Sequence, residues 1–129
     1  MIFTHFESKS FDYVVLAQSL QVLKEPKKLI NQMLRIGNEI IVSFPNMGHW
    51  SSRLDLMVKG TMPVTENLPY SWHETPNIHL CTIRDFTLFC KENNYKILEK
   101  SITTADQKNN FFIDNFPNFF GEIATFRIK

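Results

Sequence analysis

The sequence predicts an α/β fold that begins with parallel strands and ends with an antiparallel pair. Two short, continuous apolar runs, Tyr13–Ala17 and Glu39–Phe44, are typical of strands buried on both faces of a parallel sheet. A helical segment that opens at Pro26 separates them, and a right-handed crossover between parallel strands is the default geometry. Two alternating segments, Tyr95–Ile102 and Gly121–Ile128, close the chain. No helix is predicted between them, which favours an antiparallel pair.

Three helices are predicted from apolar spacing and from residues that start or stop helices. Pro26 starts the first, where its missing N–H costs nothing, and Gly37 stops it. The second ends at Gly60. Thr82 caps the third, and Asp85 follows three residues later as in a capping box. The apolar stripes of the helices are, in turn, Leu29, Ile30, Met33 and Leu34; Trp50, Leu54, Met57 and Val58; and Ile83, Phe86, Phe89 and Cys90.

Length and composition suit a single domain, residues 1–129, in a reducing compartment. A hydrophobic content of 43% is enough for one core, and a net charge of +1 provides no footprint for nucleic acid or an anionic membrane. Cys81 and Cys90 are a poor disulfide framework and fit the cytoplasm. No apolar run is long enough to span a bilayer. A polar tract, Thr103–Asn110, and an aromatic tract, Phe111–Phe120, join the last two strands.

The segment Ser43–Asp85 carries most of the candidate functional residues. It contains both tryptophans and three of the four histidines. Long irregular segments are uncommon in compact domains and are usually functional. Ligands of α/β sheets bind beyond the carboxyl ends of strands, and this segment directly follows a strand. We therefore expect the functional surface here.

Two kinds of site are disfavoured. No two of the four glycines lie close enough to form a phosphate-binding turn, so a nucleotide-like cofactor lacks its usual seat. His73, Glu74 and His79 do not have the spacing of a zinc motif, and Pro76 interrupts any helix that could align the histidines. We assign neither a metal site nor a catalytic residue.

Several segments resemble the methionine biosynthesis protein MetW family. They are FDYVVLAQSLQ, MLRIG, IIVSFPNMGHW and MPVTENLPYSWHETPNIHLCTIRDF, and the resemblance extends from about Phe11 to Ile128. It implies a Rossmann-like class I methyltransferase fold, of which this chain is the second half. It also implies S-adenosylmethionine as the cofactor of the parent family and homoserine O-acyltransferase as the partner that the family supports.

The chain departs from the family at its start. Family members begin with two strands that carry a glycine-rich cofactor turn and an acidic ribose ligand, and this chain begins after both. We therefore expect an N-terminally truncated domain that binds no S-adenosylmethionine by itself. Three functions remain open: an accessory protein for the acyltransferase, half of an S-adenosylmethionine-dependent methyltransferase, and an inactive relic.

The resemblance also points to one turn, and the residue types themselves point to one set of side chains. The turn holds Gln18, Ser19 and Leu20, which would line the cofactor and substrate pocket or form an ordinary polar connection. The candidate partner-binding side chains are three aromatic residues and two arginines. The aromatic residues would anchor a partner, stack on a base or ring, or pin the loop to the domain. The arginines would bind a carboxylate of a substrate or partner, or form surface ion pairs. These five residues are Trp50, Tyr70 and Trp72, and Arg53 and Arg84.

Self-association is expected at the first strand. In the parent fold the strand at Tyr13–Ala17 pairs with a strand of the missing half. In this chain that side would be an unpaired apolar edge without a charge or proline to protect it.

Overall fold

The computed structural model describes residues 4–104 and 111–129 of the chain. It is a mixed α/β structure with one four-stranded sheet. In chain order its elements are β1 (Phe11–Leu16), a 3₁₀ turn (Leu20–Val22), α1 (Pro26–Ile36), β2 (Gly37–Pro45), α2 (Trp50–Lys59), α3 (Ile83–Glu92), β3 (Ile97–Thr103), α4 (Phe111–Asn115), α5 (Pro117–Phe120) and β4 (Ile123–Ile128). Among the described residues, none of the helices has the length and apolar character that crossing a bilayer requires.

The sheet confirms the predicted strand directions. Its order is β1-β2-β4-β3, with β1 parallel to β2 and with β4 antiparallel to both of its neighbours. The parallel pair begins at Phe11 opposite Gly37. Gly37 is required there because a Cβ on it would lie 2.6 Å from Cγ2 of Val14. Gly37 therefore stops α1 with extended backbone and lets β1 approach β2 closely.

The core lies on one face of the sheet. On this face, Ile40, Val42 and Phe44 of β2 pair with Ile128, Phe126 and Ala124 of β4, and all six are buried. The apolar stripes of α1 and α3 pack against this layer. The rings of Phe44, Phe86 and Phe126 form its aromatic centre, with ring centroids 4.8 to 5.9 Å apart.

The prediction that the first strand is buried on both faces is wrong. β1 is an edge strand, and only Val14 and Leu16 pack against the core. Tyr13 and Val15 point to the opposite face and are 56% and 60% exposed. The continuous apolar run predicted that both faces of β1 are covered, but the described residues cover only the face that carries Val14 and Leu16.

The second helix is confirmed, but its apolar stripe is not buried. α2 ends at Gly60, whose φ of 67° is the left-handed conformation that favours glycine. Met57 and Val58 are 78% and 70% exposed, and the buried residue of this helix is Ser52. The first turn of α2 is tied to the domain by Arg53, which donates to the carbonyl of Gly48. The apolar residues beyond that turn project away from the core.

The connection between the last two strands contains helices that the sequence did not predict. The aromatic tract forms α4 and α5, and Ile113 is buried in the core. Pro117 starts α5 in the same way that Pro26 starts α1. Residues 105–110 of the predicted polar tract lie outside the described residues. The antiparallel pairing of β3 and β4 is nevertheless as predicted.

Candidate functional site

The segment between α2 and α3 lies beyond the carboxyl ends of β1 and β2, where the sequence placed the functional surface. The carbonyl of Gln21 in the 3₁₀ turn accepts from the backbone N–H groups of Ile78 and His79, at 2.8 and 2.9 Å. The N–H of Met47 donates to the carbonyl of Cys81 at 3.1 Å. The end of this segment that leads into α3 is thus tied to the residues that follow β1 and β2.

Asn46 organises this end of the sheet. Its amide nitrogen donates to the carbonyls of Asn118 and Gly121, and its oxygen accepts from the N–H groups of Gly48 and Ile83. The residue is only 4% exposed. Four satisfied hydrogen bonds explain why a polar side chain is stable in this buried position. They join β2, α3 and α5.

A polar pocket of about 140 Å³ opens next to Asn46. Its walls include His49 and Ser52 at the start of α2, Glu66 from the loop and Glu122 just before β4. His49 Nδ1 accepts from the N–H of Ser51 and is 2.8 Å from the Ser51 hydroxyl. Its Nε2 lies 3.7 Å from Glu122 Oε1. Burial lowers the pKa of His49, and the nearby Glu122 carboxylate only partly opposes this effect.

A groove of about 180 Å³ lies on the outer side of the same segment. Tyr70, Trp72 and Leu80 line it together with Met47 and Met62. Trp72 is 75% exposed and stacks edge-on against His73. The groove is therefore a largely apolar surface that solvent reaches.

A second apolar cavity, of about 160 Å³, separates the 3₁₀ turn from α3. Leu20, Cys81 and Phe86 line it. Burial raises the pKa of the Cys81 thiol to about 12, and the Asp85 carboxylate adds to this shift. The thiol is protonated at neutral pH, so Cys81 is no nucleophile there.

The three residues assigned to a cofactor pocket are not brought together around the polar pocket. Leu20 is buried and lines the apolar cavity. The N–H of Gln18 donates to the Ser43 hydroxyl, and the Ser19 hydroxyl donates to the carbonyl of Ala17. These two groups of the turn are thus already hydrogen-bonded within the domain.

The five residues assigned to partner binding lie on the surface. Trp50, Tyr70 and Trp72 are exposed large aromatic residues. Arg53 donates to Gly48, and its guanidinium carbon lies 5.3 Å from the centroid of the Phe119 ring. The backbone N–H of Arg84 donates to the side chain of Asn118. Within the described part of the chain, neither arginine forms the ion pair that the sequence left open.

Sequence reasoning missed Asn46, His49, Ser52 and Glu122. Their roles depend on contacts between distant segments, such as the bond from Asn46 to Gly121. The position of Asn46 directly after a strand was the one available signal. No group of three or more possible metal ligands is found among the described residues.

Comparison with known proteins assigns the chain to a family. A family model described as methionine biosynthesis protein MetW matches residues 2–128. A curated relative from Rhodopirellula baltica, described as a bifunctional methionine biosynthesis protein MetXA/MetW, is 33% identical over 120 residues. The alignment covers 92% of this chain and 19% of the relative, so the chain spans a small part of that protein's length. These matches confirm the resemblance read from the sequence, and the chain belongs to the methionine biosynthesis protein MetW family.

Proposed function

We propose that this chain is an accessory protein of methionine biosynthesis that binds homoserine O-acyltransferase and supports its activity. The observation that carries the proposal is the relative in which a MetXA part and a MetW part share one polypeptide. Two functions fused in one chain are held at high effective concentration. A separate MetW-family chain would reach the same association through a docking surface.

The docking surface that we propose consists of the outer face of α2 and the apolar groove beside it. On α2, Trp50, Leu54, Met57 and Val58 are all exposed. Tyr70 and Trp72 continue this surface on the groove. Exposed apolar patches of this kind mark interaction sites, and aromatic residues commonly anchor them. Arg53 is a weaker candidate for contact with the partner, because its side chain already contacts Gly48 and Phe119.

We also propose that the domain is the second half of a Rossmann-like class I methyltransferase fold. Support comes from the parallel β1-α1-β2 unit and from the antiparallel β4 between β2 and β3. The alternative function, half of an S-adenosylmethionine-dependent methyltransferase, would need a cofactor seat from elsewhere. Two free thiols, Cys81 and Cys90, support a cytoplasmic location.

We propose further that the chain alone does not bind S-adenosylmethionine. Support comes from the sequence, which has no glycine-rich turn to hold the cofactor, and from the turn at Gln18 and Ser19, where the Gln18 N–H and the Ser19 hydroxyl are already hydrogen-bonded within the domain. Isothermal titration of the purified chain should show no saturable heat. A micromolar dissociation constant would overturn this part of the proposal and favour the methyltransferase alternative.

Co-expression with the homoserine O-acyltransferase of the same organism tests the accessory role. We expect the two proteins to co-purify and the acyltransferase activity to rise. Met57→Lys with Val58→Lys should weaken the complex without unfolding the domain, because both side chains are mostly exposed. Phe111→Lys is the matched control, since Phe111 is equally exposed but lies on α4.

Two outcomes would count against the accessory role as proposed. If the wild-type chain neither co-purifies with the acyltransferase nor changes its activity, the role fails and the relic interpretation is favoured. If Phe111→Lys weakens the complex as much as the α2 variant does, the docking surface is misplaced. Thermal melts of all variants show whether each remains folded.

A further inference from the structure

Three residues on the wall of the polar pocket stand in the order of a nucleophile, a base and an orienting acid. They are Ser51, His49 and Glu122. The hydroxyl of Ser51 lies 2.8 Å from Nδ1 of His49. On the other side of the imidazole ring, Nε2 lies 3.7 Å from Oε1 of Glu122. A hydroxyl against an imidazole that faces a carboxylate is the arrangement that activates serine for acyl transfer, and it occurs in any sequence order.

The contacts on the two sides of the ring fix the state of His49. The N–H of Ser51 donates to Nδ1, so the lone pair of Nδ1 faces Ser51. The hydrogen of the neutral ring then lies on Nε2, towards Glu122. Burial lowers the pKa of His49, so at neutral pH the ring is uncharged and able to accept the proton of the Ser51 hydroxyl. Capping of α2 accounts for the backbone contact, but not for the hydroxyl and the carboxylate on either side of the ring.

Glu122 is held in place through its backbone. Its N–H donates to the carbonyl of Thr103 at 2.9 Å, and its carbonyl accepts from the N–H of Asn46 at 2.8 Å. From this position its carboxylate favours the imidazolium that forms when His49 takes a proton. The distance of 3.7 Å to His49 is longer than a hydrogen bond. Contacts between catalytic groups are often this loose without substrate and tighten when it binds.

The pocket beside Ser51 fits a small acyl group. Its volume of about 140 Å³ is enough for a chain of a few carbon atoms. Pro45 and Leu68, which are both buried, contribute apolar surface to its wall. Asn67 also lines the pocket and carries a side-chain amide. An amide N–H of this kind stabilises a carbonyl oxygen on which negative charge develops.

We propose that this pocket is an acyl-transfer site in which short-chain carboxylic esters acylate Ser51. Ser51 Oγ attacks the carbonyl carbon of the ester, and its proton passes to Nδ1 of His49. The bond between the carbonyl carbon and the alcohol oxygen breaks, and His49 gives the proton to the departing alcohol. Water then attacks the acyl-serine by the same steps and releases a carboxylic acid.

The three residues have different roles in this reaction. Ser51 and His49 touch the reacting atoms and are catalytic residues, whereas Glu122 acts through His49 and is a positioning residue. All three belong to this chain. The site therefore does not depend on the accessory role, and the chain alone is sufficient to test it.

Incubation of the purified chain with 4-nitrophenyl acetate tests the site. We expect a burst of 4-nitrophenol of about one equivalent per chain, the kinetic sign of an acyl intermediate. Mass spectrometry of the digested protein should then find the acetyl group on Ser51. Acetyl groups found only on lysines or on the N-terminus would overturn the proposal, and this measurement needs no variant.

Two variants and a matched control identify the nucleophile and the base. Ser51→Ala should abolish the burst. His49→Asn should slow acylation about 100-fold, the contribution of a general base, although asparagine still caps the helix. Ser10→Ala removes an exposed hydroxyl that donates to the carbonyl of Glu7 and should leave the burst unchanged. If Ser51→Ala and Ser10→Ala react alike, the assigned nucleophile is wrong.

Glu122→Gln separates positioning from a purely structural role. Glutamine keeps the size of the side chain but loses the charge that favours the imidazolium. We therefore expect kcat for 4-nitrophenyl acetate to fall roughly ten-fold while KM stays the same. An unchanged kcat, or a rise in KM alone, would refute the positioning role.

Discussion

Asn46 shows how much one side chain contributes to this end of the domain. Its two donated and two accepted hydrogen bonds join backbone groups of residues that are far apart in the sequence. Asn46→Ala would leave those buried groups without partners, so we expect a loss of about 3 kcal/mol in the free energy of unfolding. Urea denaturation measures it. Asn38→Ala, at an exposed position of β2, is the control and should change stability by less than about 0.5 kcal/mol; equal losses would contradict the role of Asn46.

His49 makes stability depend on pH. Its folded pKa lies below the 6.5 of the unfolded chain, because burial disfavours the charged form. Between these two values the unfolded state binds more protons than the folded state, so stability falls as pH drops below about 6.5 and is fully retained above it. His49→Asn keeps a good helix cap but cannot titrate. The urea midpoint of the wild type should therefore fall more steeply from pH 7 to pH 5 than that of His49→Asn; a constant difference would disprove the linkage.

At the scale of the element, the capping box at the start of α3 is expected to stabilise the folded domain. The Thr82 hydroxyl accepts from the N–H of Asp85, and the Asp85 carboxylate accepts from the N–H of Thr82, at 3.1 and 3.0 Å. Thr82→Ala removes half of this capping box and should cost about 1 kcal/mol. Thr87→Ala in the middle of the same helix is the matched control. It should be neutral or slightly stabilising, because alanine is the better residue inside a helix. Thermal melts compare them, and a larger loss for Thr87→Ala would refute the capping argument.

At the scale of the whole molecule, the free side of β1 is the feature most open to a second copy. Among the described residues, β1 is hydrogen-bonded to β2 on one side only, and its outward side chains Tyr13 and Val15 are exposed. Unprotected edges recruit other strands, so we expect light scattering to show a mass that rises with protein concentration. Val15→Lys should suppress the association, because an edge charge blocks strand pairing. Val58→Lys introduces the same charge on α2 and should not, and a wild-type chain that stays monomeric throughout would rule out edge pairing.

Much of the local structure follows from the sequence because its causes are local. Pro26, Gly60 and the Thr82 capping box act within a turn of the residues that they affect, and all three mark helix ends in the structure. The strand directions also follow from the sequence. A helix between two strands indicates a crossover between parallel strands, and two strands without a predicted helix between them favour an antiparallel pair. The predicted antiparallel direction of β3 and β4 is confirmed, although the two short helices α4 and α5 lie between these strands.

Only the tertiary structure decided which surfaces are covered and which polar groups meet. An apolar run such as β1, or an apolar stripe such as that of α2, shows that a segment can be buried. Whether it is buried depends on what packs against it from elsewhere in the chain. The polar pocket has the same origin, because His49 and Glu122 lie 3.7 Å apart although most of the described chain separates them in sequence. The sequence by itself determined the family, the strand directions and the ends of α1, α2 and α3 that Pro26, Gly60 and Thr82 mark. Long-range packing placed the pocket and left the outer faces of β1 and α2 uncovered by the described residues.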